Sequence, residues 1–563
     1  MMSGQGSSVA HKPGSAGGSS REEYAEGWKR TEVARPLAVW LSVLFCLGLL
    51  LVPLADGLLG SWRDPLQKAR NGISRIWHCF HAGGFRWSAI VQANNASIGA
   101  IEDFETALED SSAIGKTVRP GVLDGLLRLG GAGSEEAYVG RDGWLFYRPD
   151  VDALVMSSAF GAVAAEGITS FAAQLGSRGI RLVVVPVPGK ASIHPEQLAP
   201  ANASFAQPPA ASVVSELAAK LSGINTTDHD SASAPVVVDP SGILWSRKNM
   251  TGEEQFLRTD SHWAPGAMGL VARAVASAVR ATGLALPKED LTLGKRTVSA
   301  VGDTALMHDL PSTSRLLCLQ TVEIETVFGV DGKELRPNRS SPVLVLGDSY
   351  TNIYSSEDLG WGTSSGFAEH LSHALGCRVD KLARNDAGAK SAREMLAAED
   401  VRNPGWLDGK RVVIWVMAAR EFVRGDWSEV DLAAGEQTEQ RGFLVLPAGK
   451  SVDVEADIKA AGPLPSTVST PYADYLTAVH LTGIRDVSTG RAIGSDALAY
   501  IFTMRDRRIM IPPGLAAGDR IMLRLSNYAE KADKLDSLNR GELDHPDVMM
   551  EEPNFAEWLA PQN

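Results

Sequence analysis

The sequence predicts an α/β protein: a parallel sheet with helices on both faces, a transmembrane helix before it and a small all-β module after it. Three observations carry this expectation. Between residues 131 and 428, short β-branched apolar runs alternate with stretches of helical spacing, the pattern of strand–helix–strand units. Residues 37–54 form an uncharged apolar run. Beyond about residue 429, short strand candidates divided by Gly, Pro and Asp replace the long helical runs. A chain of 563 residues has room for several domains and a large core. Its 44% hydrophobic and 21% charged residues are ordinary for a globular protein. A net charge of −13 argues against a nucleic-acid binder, because a polyanion needs a basic footprint.

Residues 1–35 are rich in Gly and Ser and read as a disordered cytoplasmic tail. Residues 36–56 read as an anchor, since the apolar run nearly spans a hydrocarbon core of ~30 Å at ~1.5 Å per residue. Lys29, Arg30 and Arg35 precede it and Asp56 follows it, so the bulk of the chain should face outward. A cleaved signal peptide is the rival reading. The long polar lead-in and the lack of a small-residue cleavage site favour an uncleaved anchor. Residues 57–130, with Trp62, Trp77 and Trp87, read as a membrane-proximal helical connector.

A hairpin is expected over 138–147, where a Gly/Asp turn separates two short strands. A helix over 164–179 and an apolar strand over 181–187 follow. Next come a helix over 211–222, a strand over 235–238 and an Ala-rich helix over 263–282. Strands at 343–346, 378–382 and 411–417 alternate with helices at 366–375 and 391–398. In the module 429–563 the strand candidates are 442–446, 451–458, 498–503, 508–511 and 520–525. Four cysteines are too few for a disulfide scaffold. Cys318 and Cys377 pair only if both face an oxidising compartment.

The chemistry concentrates in Ser341–Tyr350, SPVLVLGDSY. A doubly buried strand here runs into a Gly-Asp-Ser turn, and ligands of open α/β sheets bind at the carboxyl ends of strands. Ser349 is the candidate nucleophile; a helix starting there would aim its N–H groups at an oxyanion. The elbow Gly-x-Ser-x-Gly is absent, since Thr351 replaces the second glycine, which argues against an ordinary α/β-hydrolase. About ninety residues upstream stand Asp260 and His262, close enough in sequence to act on one site. His262 would be the general base and Asp260 would fix its tautomer. The plainer alternatives are that Ser349 or Asp260 merely caps a helix and that His262 is a surface residue. His194 is a further candidate at the cleft, whereas His370 and His373 read as surface groups. Asn385, after the 378–382 strand, is a candidate oxyanion donor or a turn residue. Arg420 and Lys190 at strand ends, and Tyr350 beside the serine, are candidate substrate contacts. Trp263 and Trp361 either stack on sugars or fill the core. No metal site and no cofactor are called for, since no second His/Cys/Glu cluster stands at ligand spacing.

Five ordered motifs together resemble one family. They are Gly140–Phe146 (GRDGWLF), Val184-Val185-Pro186 with Gly189-Lys190-Ala191, Thr259–Trp263 (TDSHW), Gly347–Tyr350 (GDSY) and Met417–Phe422 (MAAREF). They resemble the SGNH hydrolase-like domain of the alginate O-acetyltransferase AlgJ/AlgX family, whose Asp-x-His pair precedes the serine as it does here. The resemblance implies a flavodoxin-like parallel sheet and a Ser349/His262/Asp260 triad. It also implies a periplasmic catalytic domain on a single-pass inner-membrane anchor. The expected activity is acetyl transfer through an acetyl-serine to hydroxyls of an exported polysaccharide. The expected partners are that polymer and a membrane-bound O-acyltransferase supplying the acetyl group, and the β module would bind carbohydrate. The alternatives are an extracytoplasmic acetyl esterase with the same triad and a non-catalytic carbohydrate-binding assembly scaffold.

Overall fold

The computed structural model describes residues 35–83 and, with gaps, 97–559; the longest later gaps are 222–233 and 433–441. The expected tail, and most of the expected helix over 211–222, lie outside the described residues. The described chain forms two compact units, one up to residue 120 and one from residue 121 onward. In the first, the helices Arg35–Leu58 and Arg63–Gly83 follow one another. Among the described residues no helix is long and apolar enough to cross a membrane. The segment expected as a transmembrane anchor is therefore shown as a helix and nothing more. It contains Pro53, and its last turn carries a charge: Asp56 accepts a hydrogen bond from Ser112 Oγ at 2.5 Å and one from the Ile114 N–H at 3.2 Å.

The second unit holds an α/β sheet and a β barrel. Strands β1 (Ala137–Val139) and β2 (Leu145–Tyr147) pair as the expected hairpin around the Asp142-Gly143 turn, where both residues have positive φ. Strands β3 (Arg181–Val187) and β4 (Val236–Val237) belong to the main sheet. A hairpin of β5 (Thr292–Ala300) and β6 (Gln320–Phe328) stands apart from it. Strands β7 (Val343–Gly347), β8 (Asp380–Ala383) and β9 (Val412–Ala418) complete the main sheet in the order β4-β3-β9-β7-β8, every pair parallel. The last strand is thus inserted at the centre, which departs from the sequential flavodoxin-like order.

Alternation along β7 explains its continuous apolar sequence. Val343 and Val345 join a core under the helices Pro265–Ala281 and Phe367–Leu375. Leu344 and Leu346 join a second core under Gly161–Ser177 and Ala389–Arg402. Helices covering both faces bury every residue of the strand, as the sequence requires. The Ala-rich helix begins at Pro265, two residues later than expected. Proline suits the first helical position and keeps the residue before it extended; Ala264 has φ −71° and ψ 155°. Trp263 instead bridges to Phe256, so the residues 260–263 form a loop fixed at both ends.

Several elements escaped the sequence reading, among them two that flank the active-site loop in the chain. The helix Pro240–Thr251 is capped by Asp239, whose side chain accepts from the Ser241 N–H, and it ends at Gly252 with φ +72°. The β5–β6 hairpin is largely exposed and too polar to read as strand. Cys318 is exposed and Cys377 buried, both as free thiols, so the candidate disulfide is not formed.

The C-terminal module contains β10 (Ser451–Ala461), β11 (Tyr475–Asp486), β12 (Ala492–Arg505), β13 (Arg508–Ile509), β14 (Arg520–Asn527), β15 (Asn539–Gly541) and β16 (Asn554–Trp558). Pairing runs β12-β16-β14-β10-β11 and returns from β11 to β12, which closes a five-stranded barrel and removes its free edges. Its interior is filled by Val454, Ile458, Leu481, Ile501, Leu523 and their neighbours. Strand β11 was missed from sequence. Residues 476–481 are buried on both sides, inside the barrel and beneath the 528–548 segment, so no polar–apolar alternation marks it. The module rests on the sheet domain through Arg384 and Glu542 at 2.5 Å, the Asn385 N–H on the Ser537 carbonyl at 3.1 Å, and Ser356 against Ser537 at 2.9 Å.

Ile414 sits fully buried in the central strand β9. Ile414→Ala should destabilise the sheet domain by about 2–5 kcal/mol, read as a lower urea midpoint of its unfolding transition.

Candidate active site

The carboxyl ends of β3, β9 and β7, the three central strands, point to one end of the sheet. β7 delivers Ser349 there. Gly347 is required by close approach: a Cβ at that position would lie 2.0 Å from Thr351 Oγ1. Asp348 caps the turn that follows, accepting from the Tyr350 N–H at 2.9 Å and the Ala418 N–H at 3.1 Å, and so ties β7 to β9. Burial pushes its carboxyl up to about 6, against the opposing pull of Arg420.

The loop before Pro265 brings His262 and Asp260 onto the serine. His262 Nε2 is 2.8 Å from Ser349 Oγ, and Nδ1 is 2.6 Å from Asp260 Oδ1. With Asp260 ionised, Nδ1 carries the proton and Nε2 is the free base facing the hydroxyl. All three side chains are buried.

Asp260 is held by four donors. Its Oδ1 also accepts the His262 N–H at 3.0 Å. Its Oδ2 accepts Trp361 Nε1–H at 2.9 Å and the Asp303 N–H at 3.1 Å. Burial opposes its charge, but His262 and these donors outweigh it and hold the carboxyl at about 2. For His262, burial alone would lower the pKa; Asp260, Asp303 and Asp348 reverse this and hold it above the ordinary imidazole value.

Asp303 is a second carboxyl at the site that sequence reasoning missed. Its Oδ2 lies 3.6 Å from His262 Nδ1 and accepts Ser261 Oγ–H at 2.5 Å, while Oδ1 accepts the Ser261 N–H at 2.6 Å. Burial first, then the neighbouring Asp260 charge, raise it to about 6. Gly302 makes this approach possible, because a Cβ there would lie 2.1 Å from the Thr259 carbonyl oxygen. Nothing in the spacing of Asp303, forty-three residues from Asp260, signals it. The only available clue is the Gly-Asp pair after a polar β-branched run.

Asp260, His262 and Asp303 also form a compact donor set of the kind that can bind a metal. Here the carboxylate oxygens of Asp260 and the imidazole Nδ1 are engaged in hydrogen bonds to one another and to Trp361 and Asp303, and Nε2 faces the serine. The donor set fits an acid–base role better than a cation site.

The other candidates fall elsewhere. Lys190 is buried, donating to the Leu145 carbonyl at 2.5 Å and the Arg258 carbonyl at 3.0 Å. It therefore ties β2 to the loop before Asp260 and does not grip substrate; burial lowers its pKa to about 8. Tyr350 is buried as well, with its hydroxyl on the Ser261 carbonyl at 3.2 Å and its ring 4.8 Å from the His262 ring. It supports the loop. The Asn385 amide donates to Asp358 Oδ2 at 2.7 Å and accepts from Asn352 at 3.0 Å, an arrangement that locks a turn instead of leaving the amide free for an oxyanion. Arg420 is partly exposed, pairs with Asp150 at 2.9 Å and lies 5.2 Å from the Tyr147 ring centre. Asp150 and Arg420 line a cavity together with Gly189, Ser192 and Ala419, and Asp150 Oδ2 has no hydrogen-bond partner among the described residues. Trp263 and Trp361 are buried, so neither is a sugar platform. His194 is packed against Trp144 and accepts the Gln255 N–H. His370, expected at the surface, is buried and meets the Glu325 carbonyl at 3.0 Å.

The family model described as "SGNH hydrolase-like domain, acetyltransferase AlgX" matches residues 137–419, half of the chain. The chain belongs to this family. It is similar to the probable alginate O-acetylase AlgJ of Pseudomonas fluorescens, with 24% identity over 331 residues that cover 56% of this chain and 76% of that protein. Among solved structures, the O-acetyltransferase domain of Pseudomonas putida AlgJ is 23% identical over 53% of this chain and 96% of its own, with a TM-score of 0.40. Pseudomonas aeruginosa AlgX is 17% identical over 69% of this chain and 90% of its own, with a TM-score of 0.36. The match spans the hairpin, the sheet, Asp260, His262 and Ser349.

The raised Asp303 pKa has a consequence for stability. A carboxyl with a raised folded-state pKa stabilises the fold while protonated. Its contribution is complete below the ordinary value of 3.8 and is lost as pH rises through about 6. Asp303→Asn cannot ionise. The melting temperature of the variant relative to wild type should therefore rise between about pH 4 and pH 7; calorimetry at both values checks this, and a constant offset contradicts it.

Proposed function

We propose that this protein transfers acetyl groups, through an acetyl-serine on Ser349, to hydroxyls of an exported polysaccharide. The observation that carries the reading is the 2.8 Å contact of Ser349 Oγ with an imidazole whose other nitrogen lies 2.6 Å from a buried carboxylate. Membership of an acetyltransferase family supports the group transferred. The AlgJ relative's description as an alginate O-acetylase supports a polysaccharide acceptor.

The geometry supports the following steps. Ser349 Oγ attacks the carbonyl carbon of an acetyl donor as Nε2 of His262 takes its proton. The bond from the acetyl carbon to the donor's leaving group breaks, and the proton on Nε2 passes to that group. A sugar hydroxyl then enters the same place. Nε2 takes its proton, its oxygen attacks the acetyl carbon, the bond to Oγ breaks, and the proton returns to Oγ. Asp260 stabilises the imidazolium in both halves and keeps the ring in one orientation.

The reading includes an outward-facing catalytic unit at the inner membrane, receiving acetyl groups from a membrane-bound O-acyltransferase. The exposed Trp40, Leu47, Leu51, Leu54 and Leu58 of the helix Arg35–Leu58 support an apolar setting for residues 36–56. The barrel is read as contacting the polymer, because it lies against loops 356–358 and 384–387 beside the serine.

Ser349→Ala should abolish acetyl transfer to a polysaccharide acceptor while leaving the circular dichroism spectrum unchanged, and undiminished transfer would refute the assignment. In the wild type the rate of Ser349 acylation should rise with pH through an apparent pKa above 6.5, since the base must be neutral and its pKa is raised. A stopped-flow pH series with an activated acetyl ester checks this; an ascending limb centred below that value counts against His262 as the base.

A further inference from the structure

Asp150, in the first turn of the helix Arg148–Met156, is 5% exposed, yet its Oδ2 has no hydrogen-bond partner among the described residues. Its Oδ1 accepts from Arg420 Nη1 at 2.9 Å. A buried carboxylate oxygen left without a donor is costly. Asp260 shows the contrast, since the chain itself satisfies both of its oxygens. Asp150 lines a cavity of about 40 Å³. At ~10–15 Å³ for each water, such a cavity holds roughly two or three water molecules. That is room for a hydroxyl-bearing edge of a sugar, and too little for a long chain.

The walls decide the chemistry of the occupant. Ala153, Leu154 and Phe422 give an apolar side, and Asp150, Ser192 and Arg420 a polar one. Ser192 spends its hydroxyl hydrogen on the Pro209 carbonyl, so its Oγ offers only lone pairs. Asp150 Oδ2 is an acceptor too, so the occupant must bring the hydrogen. Arg420 is already paired with Asp150 and stands 5.2 Å from the Tyr147 ring centre. An incoming carboxylate would meet the like charge of Asp150, and an incoming ammonium would meet the Arg420 guanidinium. A neutral hydroxyl meets neither objection. An apolar face with hydroxyl donors along its edge is the chemistry of a sugar, and it matches a cavity with one apolar and one accepting side.

The cavity lies at the same end of the sheet as the nucleophile. Its wall residues Gly189 and Ser192 follow β3, and Ala419 and Arg420 follow β9. The Ala419 N–H donates to the Val187 carbonyl at 2.8 Å, which closes the gap between those two strand ends. One residue earlier, the Ala418 N–H donates to Asp348 Oδ2 at 3.1 Å, and Asp348 precedes Ser349. Neighbouring strands are ~4.8 Å apart, and β9 stands between β3 and β7. The cavity is thus displaced from the serine by about the width of one strand.

We propose that this cavity is a subsite for the acceptor, in which a hydroxyl of the polysaccharide donates to Asp150 Oδ2 and holds the polymer beside the acetyl group on Ser349. This rests on the acetyl-transfer reading above and adds to it the place where the acceptor is gripped. It gives the Asp150–Arg420 pair a role in recognition, beyond tying the helix Arg148–Met156 to the end of β9.

The test uses the full chain with 4-nitrophenyl acetate as donor and a deacetylated alginate hexasaccharide as acceptor, measuring acetylated product against hexasaccharide concentration. Asp150→Asn keeps the shape of the side chain and removes the charged acceptor. It should raise the KM for the hexasaccharide by about 10–100-fold, the usual effect of losing a hydrogen bond to a charged group, and change the maximal transfer rate far less. Ala153→Val leaves the Asp150–Arg420 pair in place and puts two methyl groups into the cavity. It should raise the same KM, whereas a carboxylate that only ties helix to strand predicts no such change. An unchanged KM in Ala153→Val or in a folded Asp150→Asn, or a loss confined to the maximal rate, overturns the proposal. If the wild type transfers and both variants keep its KM, the transferase reading stands and only the subsite falls. If the wild type releases 4-nitrophenol but no acetylated hexasaccharide forms, the transferase reading fails and this inference with it.

Discussion

A carboxylate sealed from water must be solvated by the protein, and in this fold that demand falls on Asp260. It is 2% exposed and receives hydrogen bonds from the backbone and ring of His262, from the Trp361 indole and from the Asp303 amide. Those donors come from three separate parts of the chain. Each part is shaped to supply its donor. Pro265 ends the extended loop that carries the histidine. Gly302 permits the contact that brings the Asp303 amide within reach, and a buried tryptophan side chain spends its single N–H on the second oxygen. Remove the charge and these groups have no common purpose. With it, the imidazole is oriented, its tautomer is fixed, and Nε2 is left facing Ser349.

The sheet order decides where this assembly sits. With β9 inserted between β3 and β7, the three longest strands of the sheet occupy its middle and end side by side. Asp348 couples two of those ends through the Tyr350 and Ala418 amides, so the serine turn cannot move without disturbing β9. Lys190, at the end of β3, reaches the Leu145 and Arg258 carbonyls and draws the hairpin toward the loop that carries Asp260. A lysine buried without an anion in direct contact is costly. Its amino group sits within the field of Asp260, Asp303 and Asp150, and that field offsets part of the burial, which is why its pKa falls only to about 8.

What could be read from the sequence follows from the range of the forces involved. The strands β3, β7 and β9 announce themselves because helices cover both faces, and continuous apolar runs have no other stable fate in a soluble unit. The Ser349, His262 and Asp260 set is legible because a Gly-Asp-Ser turn and an Asp-x-His pair are local patterns with a chemical meaning. Asp303 and the Trp361 indole that meets Asp260 are not legible as site groups, since each arrives through tertiary contact alone. Residues such as Lys190, Asn385 and Tyr350 were misjudged for the same reason in reverse. A polar residue at a strand end is a good candidate for substrate contact until the fold reveals a buried carbonyl or carboxylate that needs it. Strand β11 shows the limit of periodicity: buried on both sides, with Thr and His among its residues, it displays neither the alternation of a half-exposed strand nor the purity of a central one.

The two carboxyls beside His262 divide the electrostatic work between them. Asp260, with four donors, stays ionised down to about pH 2, whereas Asp303, buried and beside the Asp260 charge, holds its proton until about 6. Two equal negative charges at this distance from one imidazole would hold its proton more firmly than one does. A single fixed charge and a second that titrates near neutrality bias the ring less strongly. The pair is coupled through Ser261, whose hydroxyl and amide both point at Asp303 while its carbonyl accepts Tyr350. Any change of charge on Asp303 is therefore felt along the whole loop that presents the histidine, and Ser261, between Asp260 and His262 in the Asp-x-His motif, helps to position the imidazole.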